Sequence, residues 1–132
     1  MVDTKRYKDW VVMAEKDLRS AEILFEHDAD YGIVCFHCQQ AIEKSLKGYL
    51  IFKSGELAEG HSLVKLCKKA AGSEGSYESF LKDCAFVNVF YIETRYPAED
   101  SMLVAREDVK ECFRIAETII SKVVEEIGKT EG

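Results

Sequence analysis

The sequence is short of everything that would break it into small pieces. Its 132 residues contain one proline and eight glycines. Strand-like alternation is absent, and so are internal repeats and low-complexity tracts; these absences exclude a β-rich domain, a solenoid and a tethered string of modules. Apolar runs are short and interrupted by Lys, Glu or Asp, far from the roughly 18 to 20 residues that a membrane span requires. Basic excess is also missing: the net charge is −6, which argues against broad binding to nucleic acid, because phosphate contacts need a basic surface. No Gly-rich phosphate loop, no Asp-x-Asp cluster and no ordered Ser, His and Asp set is present. The first residues, Met1-Val2-Asp3-Thr4-Lys5-Arg6, contain no apolar signal segment, and a cytoplasmic location is the expectation.

Apolar residues make up 47% of the chain and charged residues 32%, the composition of a globular domain, and the length suits one domain over residues 1–132. Tyr7, Val11, Ala14, Leu18, Ala21 and Phe25 recur at steps of four and three, the spacing of one buried helix face from about Thr4 to His27. Thr4 is the expected N-cap, His27 the expected C-cap, and Asp28-Ala29-Asp30 the break. A second helix is expected to begin after Asp30 and run to about Lys53, stopped by Ser54-Gly55. After a loop over 56–61, Ser62 caps a short helix carrying Leu63, Leu66, Cys67 and Ala70. Tyr77, Cys84 and Tyr91 mark a fourth stripe that ends at Thr94-Arg95-Tyr96-Pro97, and Val109 to Ile127 a fifth. Proline forces the residue before it out of helical geometry, so Arg95 sits on the last turn and Tyr96 at the exit. The expected fold is all-α: an antiparallel bundle of four long helices plus one short helix. Apolar residues outside the stripes (Trp10, Ile23, Phe36, Phe52, Phe90) leave surface for a partner, and a homodimer is expected.

The five cysteines are an odd number at apolar helical positions, which reads as reduced core thiols. Cys35-x-x-Cys38 with His37 between them has the outline of half a zinc site, but only His61 and Cys67 remain as further ligands, and packing of two small apolar residues is the preferred reading. No metal and no cofactor is expected. The polar residues of the second helix are harder to dismiss. Gln40, Lys44 and Lys47 share one stripe, with Gln39 and Glu43 beside it. The plainer expectation is a wet face with a Gln40 to Lys44 contact and a Glu43 to Lys47 ion pair, worth about 0.2 to 0.5 kcal/mol each.

Four motifs in order give these residues a context. Trp10 with Ala14-Glu15-Lys16-Asp17-Leu18-Arg19-Ser20-Ala21, then Gln39-Gln40-Ala41-Ile42-Glu43-Lys44-Ser45-Leu46-Lys47, then His61-Ser62-Leu63, then Arg95-Tyr96-Pro97, together resemble the HEPN domain (higher eukaryotes and prokaryotes nucleotide-binding), over about Lys8 to Lys122. The resemblance implies a compact helical bundle, a homodimer, and a minimal nucleotidyltransferase partner in toxin and antitoxin pairs. It also implies a nucleotide- or RNA-binding set of Gln40, Glu43, Lys44, Lys47, His61, Arg95 and Tyr96, in which the cations suit phosphate, the amide and carboxylate suit polar edges, and the tyrosine suits a base. Many members are metal-independent RNases that use Arg, four to six intervening residues, then His. Arg95 matches the Arg and is the best catalytic candidate, but Asp100, Ser101 and Met102 stand where the His would fall. The chain departs from the nuclease pattern at the group that moves a proton near neutral pH. A binding module is therefore the first reading; an RNase with an atypical acid or base, and a purely structural interaction module, are the alternatives.

Overall fold

The computed structural model describes residues 2–91, 97 and 103–131. Among these residues five α-helices follow in order: α1 (Tyr7–Glu26), α2 (Tyr31–Ser54), α3 (Leu63–Ser73), α4 (Leu81–Asn88) and α5 (Arg106–Glu131). Single 3₁₀ stretches, Gly75–Phe80 and Val89–Tyr91, extend α4 at both ends, so the fourth stripe read from the sequence is one composite helical segment. No strand occurs among the described residues.

The helix boundaries follow local chemistry. The Asp30 side chain accepts the Ile33 N–H and starts α2, and Gly55 closes it at φ 75°, a left-handed conformation that glycine adopts without a Cβ penalty. Ser62 accepts the Lys65 N–H and starts α3. His27 terminates α1, and its N–H reaches the Ile23 carbonyl. At the other end of α1 the structure departs from expectation: Arg6 holds the N-cap position, while Thr4 donates to Asp9 Oδ2 at 2.8 Å from outside the helix. The Thr4 carbonyl also accepts the Trp10 Nε1–H at 2.9 Å, so the chain before α1 is tied down without serving as its cap.

Pairings along the helices set their directions. Phe25 meets Tyr31, Asp17 meets Lys44, and Tyr7 meets Phe52, so α1 and α2 are antiparallel. Leu63 meets Asn88 and Cys67 lies against Cys84, so α3 and α4 are antiparallel. Tyr31 meets Arg106, and Cys35 meets Cys112, which lays α5 parallel to α2. Helix α2 thus touches α1, α3, α4 and α5 and is buried on nearly every side.

That placement explains the core. Val34, Cys35, Cys38, Ile42, Leu46 and Tyr49 from α2 join Leu66, Cys67, Tyr77, Cys84, Ile115 and Ile119 in one apolar cluster. All five cysteines are free and buried, and burial pushes the Cys38 thiol well above its usual range, so Cys35 and Cys38 act as small core residues. Of the five apolar residues expected to leave partner surface, Phe90 is buried, and Trp10, Phe36 and Phe52 are partly buried against neighbours. Only Ile23 stays exposed, because the other rings are used for packing inside the bundle.

At Gly48 α2 lies tightly against α1. A Cβ there would lie 3.1 Å from Val11 Cγ2 and 3.2 Å from the Tyr7 carbonyl oxygen, whereas a Cβ at Gly128 of α5 meets nothing within 4 Å. Gly48→Val is expected to lower unfolding stability by about 1–3 kcal/mol through overpacking, and Gly128→Ala to raise it by about 0.4–1 kcal/mol. Urea titration of the two variants measures both signs.

Candidate functional site

The polar residues of α2 do not form a wet face. Gln39, Glu43 and Lys47 lie one turn apart in a row, and the packing around α2 carries that row inward. The Glu43 side chain is 4% exposed and that of Lys47 is 8% exposed, with Nζ 3.2 Å from Glu43 Oε2. The expected ion pair is therefore present, but inside the protein. The face of Trp10, 5.7 Å from Nζ, closes the other side of the ammonium.

Glu43 is the hub. Its Oε1 accepts long hydrogen bonds from Gln39 Nε2 at 3.4 Å and Gln40 Nε2 at 3.5 Å. His61 Nδ1 lies 3.1 Å from Oε1 and 3.2 Å from Oε2. A carboxylate accepts, so the contact suits the imidazole with Nδ1 as the donor. The amides are linked too: Gln40 Nε2 donates to Gln39 Oε1 at 2.8 Å, and Gln39 Nε2 donates to the His61 carbonyl at 3.3 Å.

The 55–61 connection brings His61 here. Helix α2 rises roughly 16 Å between Glu43 and Ser54, and seven extended residues span roughly 23 Å, so the chain has reach to return along α2. It does return, and α3 then starts beside Gln39 and Glu43. Asn88 of α4 fixes that start by accepting the Leu63 N–H at 2.8 Å. His61 is consequently held through its ring by Glu43 and through its backbone by Gln39, although its side chain is 54% exposed. Tyr91 stacks on the imidazole at a centroid distance of 4.8 Å and 22°, and Phe36 of α2 stacks on Tyr91 at 6.1 Å and 22°.

Of the seven residues singled out in the sequence, four converge: Gln40, Glu43, Lys47 and His61. Lys44 does not join them, because its Nζ pairs with Asp17 Oδ2 of α1 at 2.6 Å instead of contacting Gln40. His37 approaches the same aspartate at 3.8 Å. Arg95 and Tyr96 lie outside the described residues. The sequence reading left three contributors out of the site. Gln39 falls on the Glu43 row at a step of four and was legible by that spacing. Phe36 and Tyr91 read as ordinary stripe residues, and nothing in their spacing marks them as a stack.

The sequence matches the HEPN domain over residues 7–127, nearly the whole chain. The chain belongs to the HEPN domain family. Among solved structures it is similar to TT1696 from Thermus thermophilus, at 29% identity and a TM-score of 0.80, covering 92% of this chain and 98% of that one. It is also similar to ST0689, described as an archaeal HEPN homologue, at 29% identity and a TM-score of 0.76, covering 94% of this chain and 99% of that one. No curated protein matches the sequence at a significant level. The residues around Glu43 therefore belong to a HEPN bundle, and their arrangement gives this member's version of it.

Breaking one side of the buried pair leaves an uncompensated charge. Glu43→Ala is expected to cost about 3–5 kcal/mol, and the double change Glu43→Leu with Lys47→Leu much less. Chemical denaturation in a double-mutant cycle gives the coupling energy, and additive single effects would contradict a coupled pair.

Proposed function

We propose that this HEPN protein is a nucleotide- or RNA-end-binding module, acting as a homodimer beside a minimal nucleotidyltransferase in a toxin–antitoxin-like pair. The observation that carries the binding half is the buried Gln39–Glu43–Lys47 row with His61 laid over it. Apolar residues at these positions would hold the helices at lower desolvation cost, so an ion pair kept inside the bundle is weak support for stability alone. It does hold an exposed imidazole in one position at the surface. Arg95 and Tyr96 join this reading from the sequence: the Arg as an anion contact and the Tyr as a base contact. The partner, the pairing and a cytoplasmic setting rest on the family resemblance.

The dimer has support of another kind. Val12 of α1 and Val124 of α5 are exposed and line an apolar groove with Tyr7, Val11 and Ile127. Sedimentation equilibrium is expected to return twice the chain mass, and a monomer at all accessible concentrations would remove the homodimer from the proposal.

Calorimetry with nucleotides and short RNA tests the binding half. Saturable heat is expected, weakened a few-fold by Arg95→Ala with an unchanged melting temperature, on the scale of one hydrogen bond's net contribution. Absence of heat for every ligand overturns it.

The Glu43–His61 contact favours one second reading, cleavage of RNA without metal. A carboxylate on Nδ1 orients an imidazole so that Nε2 can take a proton from a 2′-hydroxyl, the role left empty at 100–102. Labelled RNA incubated with chelator distinguishes the two: cleavage lost in His61→Ala supports the enzyme, and intact RNA across several pH values supports binding alone.

A further inference from the structure

We propose that the base, and not the phosphate, leads recognition at this site: a nucleobase stacks on the face of His61 opposite Tyr91 and lengthens the Phe36–Tyr91–His61 ladder by one ring. The inference rests on the nucleotide-binding reading and specifies which part of the ligand the protein grips.

Two sets of observations carry it. The first is the ladder. Phe36 and Tyr91 stack at 6.1 Å and Tyr91 and His61 at 4.8 Å, both pairs within 22° of parallel, which are offset-stacking geometries. Phe36 is anchored on the central helix, and the ring at the far end, His61, is the more exposed one. Its imidazole is fixed by the buried Glu43 carboxylate and its backbone by Gln39, so the platform is ordered before a ligand arrives. A base landing on it immobilises no loose side chain, which removes an ordinary cost of binding. Gln40 reaches the same Glu43 oxygen as His61, and with its two amide donors on Gln39 and Glu43 it adds a carbonyl oxygen beside the platform for a base edge.

The second is the state of the cations. Lys47 is held by Glu43 at 3.2 Å inside the protein, and Lys44 is held by Asp17 at 2.6 Å. Turning either ammonium to a phosphate would take from a carboxylate its lysine partner, and for Glu43 that carboxylate is buried. The chain's net charge of −6 adds no general attraction for an anion. Stacking needs no net charge and tolerates any base, with a larger gain for a purine because it covers more of the ring.

The experiment compares adenosine, AMP, ribose 5-phosphate and a short single-stranded RNA by calorimetry on the full chain, at low and high salt, with His61→Ala and His61→Phe as variants. Adenosine and AMP are expected to bind within a few-fold of each other with little salt dependence, and ribose 5-phosphate not at all. His61→Ala should weaken adenosine roughly tenfold or more, the scale of one lost base stack, and His61→Phe should restore most of it. His61 is exposed enough that neither change should unfold the bundle, which a melting curve checks. Ribose 5-phosphate binding as well as AMP, with adenosine silent, overturns the inference and leaves the nucleotide-binding reading standing. Unchanged affinity in His61→Ala overturns the platform. RNA that binds while adenosine and AMP do not would shift the grip to the backbone and also overturn it. Silence from all four ligands overturns the inference and the binding reading together.

Discussion

Helix α2 is enclosed on nearly every side, and most of what is particular to this protein follows from that constraint. A charged side chain buried on a helix packed against α1, α3, α4 and α5 needs its partners from within the protein. The apolar residues of α2 are free of that requirement and form the centre of the core. Gln39, Glu43 and Lys47 meet it by hydrogen-bonding one another in a row and by drawing His61 onto the carboxylate.

The same constraint links fold to site. The buried row orders the surface residue above it, so a solvent-accessible ring inherits the rigidity of the core. Tyr91 reaches that ring from the end of the fourth helical segment, and Phe36 connects it back to α2. Five secondary-structure boundaries contribute: the Ser62 cap, the Asn88 link to Leu63, the 3₁₀ turn at Val89–Tyr91, the glycine stop at Gly55 and the returning 55–61 connection. A site assembled this way depends on the whole bundle, which is why its energetic test is a stability cycle and its chemical test is a change at the exposed histidine.

Much of this was legible in advance. The steps of four and three located α1 and α5, the break at Asp30 and the stop at Gly55 bounded α2, and Ser62 marked the start of α3 as capping chemistry requires. The Glu43–Lys47 pair was also legible, since residues four apart on a helix meet whether the face is wet or dry. Its burial was not, because the spacing says which side chains share a face and nothing about what covers that face. Lys44 shows the same gap: its step from Gln40 suggested a contact, yet Asp17 on α1 offers an opposite charge where Gln40 offers only an amide.

The sequence by itself determined the helices, the Ser62 cap and the stops at His27 and Gly55, the family, and the presence of polar groups on α2 that packing alone does not call for. It could do so because helix periodicity and capping are local, set by residues within a few positions of one another. Tertiary structure alone decided that α2 is enclosed, that Glu43 and Lys47 are buried, and that His61 lies on Glu43 with Tyr91 and Phe36 stacked behind it. Those contacts join residues far apart in the chain, and they exist only once the 55–61 connection has run back along α2 and the fourth segment has closed over it.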